Sequence, residues 1–351
     1  MKAKRLIAGL LCVALLAAGL GGCGSTASDK TTAAGLPQAV TIGTQQMPDD
    51  EGIAKAKGYL EKEMGVPVRI VEFKSGKDVN NALLSKSIDF GLLGSSPATL
   101  AIANKIPVKL IWVHEVLGEI ESLAVKNGAG IQSIQDLRGK VIATPFASTS
   151  HYSLLRALEK NNLSAKDLTL LDMQPADIFA AWQRGNLDGA YVWQPVLGQL
   201  LQDGKILLSS EDMAGQGVVT ANVELVRTEF AEKHPDLVVK YIRAMEQAVD
   251  FYNQQKQQAV QTVATALNLS KEDAQVQMEG SIWLTGQQQL DPAYMGTSSQ
   301  KGALAGYLKD SADFLVSQQD LLQAPDAAAF GQAIDPSYIE KSLQEGDDSD
   351  D

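Results

Sequence analysis

Residues 89–98, Asp89-Phe90-Gly91-Leu92-Leu93-Gly94-Ser95-Ser96-Pro97-Ala98, decide the fold. An apolar run ends in a glycine and two serines, and a proline then opens an apolar segment. This reads as a buried strand feeding a helix, with Ser96 suited to the N-cap and Pro97 to the first helical position. The same grammar returns at residues 141–159. Val141–Thr144 reads as a strand, Pro145-Phe146-Ala147-Ser148-Thr149-Ser150-His151-Tyr152 as a hydroxyl-rich junction, and the residues after it as a helix. A third stretch follows at 174–195. There a helix over Pro175–Arg184 ends at Gly185, a strand over Gly189–Val192 follows, and Trp193 stands at its C-terminal edge before Pro195.

Outward from these junctions, strands and helices alternate. Further strands are predicted at Ala39–Gly43, Val68–Phe73, Val108–Val113, Ser122–Val125, Leu168–Asp172 and Ile206–Leu208. Further helices are predicted at Gly52–Met64, Lys77–Ser85 and Pro195–Gln202. Two βα blocks in series define an α/β class. The segment Val218–Arg227 is apolar enough to be a strand that returns to the first block. A chain that leaves one lobe, builds a second and comes back gives two lobes joined by two crossover strands, able to close on a ligand. The expected division is lobe 1 over 38–125 plus 223–340, and lobe 2 over 126–222. From Thr228 onward the pattern is mostly helical. Pro235–Gln254 is its clearest amphipathic stretch, with Leu237, Val238, Tyr241, Ile242, Met245, Ala248 and Val249 at helical spacing. Residues 341–351 read as a solvated acidic tail.

The N-terminus carries an address. Lys2, Lys4 and Arg5 precede an apolar run from Leu6 to Leu20, too short for a comfortable membrane span. Leu20-Gly21-Gly22-Cys23 then resembles a bacterial lipobox, in which residues 1–22 are removed and Cys23 is lipidated. The other reading is an ordinary export signal with a chance cysteine. Two acyl chains hold a protein stably where one does not. Residues 23–37, small and polar, suit a flexible tether to a cell membrane on its outer, periplasmic or surface side.

Composition narrows the function. The chain has 351 residues, 45% hydrophobic and 21% charged, which is enough to bury a core. Its net charge of −12 argues against nucleic acid as a partner. Beyond Cys23 there is no cysteine, which excludes a thiol nucleophile and a cysteine-ligated metal in the body of the protein. The three histidines, His114, His151 and His234, show no metal-ligand spacing. No G-x-S-x-G occurs, and His114-Glu115 opens an HExxH-like run that lacks its second histidine. The GxGxxG at Gly19–Gly24 follows no strand and opens no helix.

What remains is the pair of strand-to-helix junctions. Ser and Thr cap helices generally, so either junction alone is only a cap. Two of them facing one cleft make an anion clamp without a formal positive charge. Trp193 is either a cleft wall or a core aromatic. Trp182 is expected in the core, Arg184 as a cap on the helix dipole, His151 as a polar group at a helix start, and His234 on the surface.

Three stretches, Gly91–Pro97, Pro145–Leu155 and above all Gln174–Pro195, closely resemble taurine-binding proteins of bacterial ABC importers. Asp203-Gly204-Lys205 and Glu232-Lys233-His234-Pro235 fit too. The wider family takes sulfonates, nitrate and related anions. The resemblance implies a two-lobed, periplasmic-binding-protein-like type II fold with the ligand between the lobes. It also implies an ABC permease and its ATPase as partners, no cofactor, no metal and no catalysis; a monomer is expected. Carried over by residue, Ser95, Ser96, Ser148 and Thr149 would hold a sulfonate, and Tyr152 and Trp193 would wall the cleft. Glu121 would meet an ammonium. Asn222 stands where the family carries an aspartate, so Asp49 and Glu224 are the candidates to supply the charge instead, and another small sulfonate is the alternative to taurine. The rivals are a secreted enzyme of the same fold, of the pyrimidine-precursor or porphobilinogen type, and a sensor domain without a transporter.

Overall fold

The computed structural model describes residues 35–347. The lipobox with Cys23, the signal segment 1–22 and most of the tether lie outside the described residues. The strands are β1 (Val40–Gln45), β2 (Val68–Phe73), β3 (Phe90–Gly94), β4 (Val108–Leu117), β5 (Glu121–Lys126) and β6 (Val141–Thr144). They continue with β7 (Thr169–Asp172), β8 (Gly189–Trp193), β9 (Gly204–Ser209), β10 (Ala221–Arg227) and β11 (Ser281–Ile282). They form two sheets, one ordered β11-β4-β10-β3-β1-β2 and the other β7-β6-β8-β5-β9. Each sheet is the centre of one lobe.

The returning strand is β10. It lies antiparallel between β3 and β4, in the first sheet, as its apolar sequence predicts. The outgoing crossover falls earlier than expected. Ser122–Val125 belongs to lobe 2, because β5 pairs antiparallel with both β8 and β9. The chain therefore changes lobes at residues 118–120. The Leu117 N–H donates to the Thr220 carbonyl at 2.9 Å, so the outgoing and returning crossovers lie side by side. Gly118 is pressed against the Gly280 carbonyl: a β-carbon there would stand 2.6 Å from that oxygen.

Local signals explain other differences. The predicted helix Gly52–Met64 is two helices, Asp50–Lys57 and Tyr59–Met64, broken where Gly58 takes φ 69°. The helix after β3 begins at Ser95, with Gly94 as its N-cap, so Ser96 is not the cap. Pro97 falls in the first turn, where a missing N–H is tolerated. The final helix runs from Ser337 to Asp347, so residues 341–347 are not tail. Lys341 pairs there with Asp236, and Ser342 donates to Glu246.

The helix Pro235–Gln254 carries the largest share of the lobe 1 core, burying Leu237, Val238, Tyr241, Ile242, Met245, Ala248 and Val249. Each large apolar side chain so buried contributes about 1.5–3 kcal/mol relative to exposure. Lobe 2 has a separate apolar cluster on each face of its sheet. The helix Leu304–Ser317 crosses between lobes: Leu308 joins the lobe 1 core, while Phe314 joins that of lobe 2. Lobe 1 was expected to hold all of 223–340, and this helix is the exception.

Candidate ligand cleft

Between the lobes is a small, nearly closed cavity. Lobe 1 lines it with Gln45, Met47, Gly76, Gly94, Pro97 and Asn222. Lobe 2 supplies Glu121, Ser148, Thr149, Trp193 and Gln194, and the crossover supplies Leu117 and Ile120. Gln45, Gly94 and Trp193 end the strands β1, β3 and β8, so the cavity sits beyond the carboxyl edges of both sheets.

Three helices start at this cavity: Gly76–Leu84, Ser95–Ala103 and Thr149–Lys160. A helix start presents free N–H groups and the positive end of the helix dipole. Gly76 lets two of these helix starts pack closely. A β-carbon on Gly76 would stand 2.6 Å from Pro97 Cγ.

One carboxylate lines the cavity, seated on the start of the helix Thr149–Lys160. Glu121 begins β5 directly across from Trp193 in β8. It is 1% exposed and accepts from Thr149 Oγ1 at 2.5 Å, Ser150 Oγ at 2.8 Å and Ser210 Oγ at 3.0 Å. Burial raises its pKa, and the hydroxyl donors oppose that rise. The cleft thus offers cation-seeking and anion-seeking groups within one small space.

The structure brings Glu121, Ser148, Thr149 and Trp193 together around the cavity, and corrects the roles of others. Ser148 is the N-cap of its helix: its hydroxyl accepts from the His151 N–H at 3.1 Å and donates to the Pro145 carbonyl at 2.6 Å. The Thr149 proton goes to Glu121. Both hydroxyls are therefore engaged within the protein, and so are the Ser150 N–H, which Glu121 accepts, and the His151 N–H, which Ser148 accepts, so this junction has few N–H groups left for an anion. Ser95 and Ser96 lie behind the lining. Ser95 Oγ accepts from the Ala221 N–H, and Ser96 Oγ is buried without a protein partner. Tyr152 is not a cleft wall. It is 4% exposed in the lobe 2 core, with its ring edge-on to Phe314 at 5.5 Å, because its place one turn into the helix turns it under the sheet. Neither proposed substitute for the missing aspartate serves. Asp49 caps the helix Asp50–Lys57 through the Gly52 N–H, and Glu224 lies inside lobe 1 on His114. His234 is buried beside Phe230 rather than on the surface.

Sequence reasoning missed Gln45, Met47, Gly76 and Gln194. Ser75-Gly76 ahead of a helical segment was the available signal for one of them. It also missed a buried network behind the lobe 1 wall. His114 Nδ1 meets Asp50 at 2.6 Å and Nε2 meets Glu224 at 3.0 Å, while Tyr241 donates to Glu51 and Trp112 to Asp50. Burial opposes charge on His114, but the two carboxylates outweigh it and hold its pKa well above the ordinary value. Burial lifts Glu224 to about 8 and Glu115 to about 7. Glu51, His114 and Glu224 place ligand-type atoms within 4.8 Å of one another, the described group most able to hold a metal. None of the three lines the interlobe cavity, and both imidazole nitrogens are engaged by carboxylates.

With this geometry in place, the likenesses to other proteins become readable. The chain is 35% identical over 285 residues to the taurine-binding periplasmic protein of Escherichia coli K12, covering 80% of this chain and 86% of that one. The alkanesulfonate-binding protein SsuA of Xanthomonas axonopodis pv. citri, solved with bound MOPS, superposes with a TM-score of 0.71 at 22% identity over 85% of this chain and 98% of that one. The periplasmic aliphatic sulphonate binding protein SsuA of Escherichia coli gives 0.69 at 24% identity over 84% and 91%. These two structures share the two-lobed fold. Residues 52–259 match the model of the NMT1/THI5-like family, and with the extended identity to the Escherichia coli protein this establishes that the chain belongs to that family.

Proposed function

We propose that this protein is the extracytoplasmic solute-binding component of an ABC importer. It captures taurine or a similar small alkanesulfonate between its lobes and passes it to the permease without chemical change. Cys23 anchors it to the outer face of the cell membrane through its lipid. Among the described residues no helix is long and apolar enough to cross a membrane.

One observation carries the choice of ligand: a single cavity joins three helix N-termini to the Glu121 carboxylate. Taurine has a sulfonate and an ammonium two carbons apart, so both ends must be satisfied in one place. The N–H groups at the starts of Gly76–Leu84 and Ser95–Ala103 suit the sulfonate. Glu121 suits the ammonium, which is costly to bury without a partner. The indole of Trp193, half-buried in the lining, covers the carbon chain. Calorimetry of the processed protein against taurine, longer alkanesulfonates, nitrate and sulfate tests this reading. Tight binding of taurine or another sulfonate supports it; binding of nitrate alone, or of none of the four, overturns it.

A further inference from the structure

We infer that Glu115, held by Ser281 and Trp283, is a positioning residue that turns the Asn222 carboxamide so that its carbonyl oxygen faces the ligand. It thereby selects sulfonates that carry an amine. This rests on the sulfonate reading above and adds the lobe 1 half of the recognition.

The protons run in one direction along this chain. Trp283 Nε1 donates to Ser281 Oγ at 3.1 Å. An indole N–H can only donate, so the serine oxygen is the acceptor here. The single serine proton then goes to Glu115 Oε2. The other carboxylate oxygen, Oε1, accepts from Asn222 Nδ2 at 2.7 Å. The second contact of that nitrogen is Met47 Sδ at 3.3 Å. Both hydrogens of the amide nitrogen are thus directed into lobe 1. Turned the other way, Asn222 would set its oxygen against Glu115 Oε1, acceptor against acceptor.

Asn222 lines the cavity, and among the described residues no protein donor reaches its Oδ1. The side chain sits on β10, paired with Gly94 on one side and Glu115 on the other. Glu115 itself is 0% exposed and does not line the cavity, so it acts through Asn222. The cavity therefore meets a hydrogen-bond acceptor at this point in lobe 1, as it meets Glu121 in lobe 2. An ammonium, with three donors, can use both. An unsubstituted alkyl end can use neither, and leaves Oδ1 unpaired on closure, which is the kind of loss that discriminates between ligands.

The test compares taurine with ethanesulfonate, which lacks the amine, by calorimetry on the processed protein at about pH 8, above the raised pKa of Glu115, with thermal midpoints recorded for every variant. In Glu115→Gln the charge that orients the amide is gone, and the taurine-over-ethanesulfonate affinity ratio should fall at least tenfold. Ser281→Ala should lower it in the same direction by a smaller factor. The double variant Glu115→Gln with Asn222→Asp should restore the ratio, because the new glutamine donates to one aspartate oxygen and the other faces the cavity. A ratio unchanged in the single variants, or equal losses for both ligands, overturns the positioning role. Failure of the double variant to restore the ratio, in protein that melts normally, also overturns it. Wild-type protein that binds neither sulfonate overturns the sulfonate reading itself, an outcome distinct from wild-type binding with an unmoved ratio.

Discussion

Gly94 of lobe 1 lies so close to Thr149 of lobe 2 that a β-carbon on Gly94 would stand 2.8 Å from Thr149 Cγ2 and 3.2 Å from its Oγ1. Two of the three helix starts that face the cavity meet at this point. An added methyl group must push one lobe away from the other. Overpacking costs about 1–3 kcal/mol, which corresponds to roughly five- to a hundredfold in affinity. Gly94→Ala should therefore weaken every ligand by a similar factor and increase the radius of gyration of the liganded protein in X-ray scattering. Unchanged affinity would show that the lobes approach each other elsewhere.

Glu121 is tied to the same contact through the Thr149 hydroxyl. In Glu121→Gln the amide oxygen can still accept from Thr149 and Ser150, the Ser210 hydroxyl turns to accept from the amide nitrogen, and the charge is gone. A hydrogen bond to a charged group contributes about 1.5–3 kcal/mol. Taurine should lose roughly ten- to a hundredfold in affinity by calorimetry, and ethanesulfonate much less. Equal loss for both ligands would remove Glu121 as the ammonium partner.

The anchor can be tested independently of the ligand. Cys23→Ser should abolish acylation and move the protein from washed membranes to the soluble fraction, with taurine affinity unchanged. Retention of that variant on membranes would exclude the lipobox reading.

The fold was legible where strand and helix signals were strong and local. Val68–Phe73, Val141–Thr144 and Pro235–Gln254 have the bounds their patterns predict. The crossover was misplaced by a few residues because Ser122–Val125 is apolar on both faces, and such a strand suits either sheet equally. Only its pairing with β8 and β9 decides. Glu121 and Trp193 were legible as candidates one by one, but their facing each other follows from antiparallel register, which no local pattern encodes. Tyr152 was misread for a related reason. A helix start displays its first residues to the cleft, whereas a residue one turn further on is turned by the helix period toward the core, here onto Phe314 from a segment more than a hundred residues away. The hydrogen-bond chain from Trp283 to Asn222 joins β11, β4 and β10, and so was visible only in three dimensions.

The buried acids behind the lobe 1 wall set the pH dependence of stability. Burial raises Glu115 to about 7 and Glu224 to about 8, from an ordinary value of 4.5. It raises Asp49 and Glu51 as well. His114 is also raised, by Asp50 and Glu224 against the opposing effect of burial. The sign is the same for every member. Between the unfolded and folded pKa values the folded state holds more protons than the unfolded chain, so raising the pH favours unfolding. For the carboxylates the contribution is complete below about 4.5 and is lost as the pH rises through 7 and then 8. For the histidine it is complete below its ordinary value and is lost at higher pH. Each tenfold change in proton affinity between the two states is worth about 1.4 kcal/mol, so the combined loss is on the order of a few kcal/mol. Urea unfolding of the ligand-free protein should therefore give a higher midpoint at about pH 5 than at about pH 8.5, with the slope flattened in Glu224→Gln. A midpoint that stays level or rises across this interval would mean that these carboxylates are ionised in the folded protein, with the cluster compensated by positive charge rather than by protons.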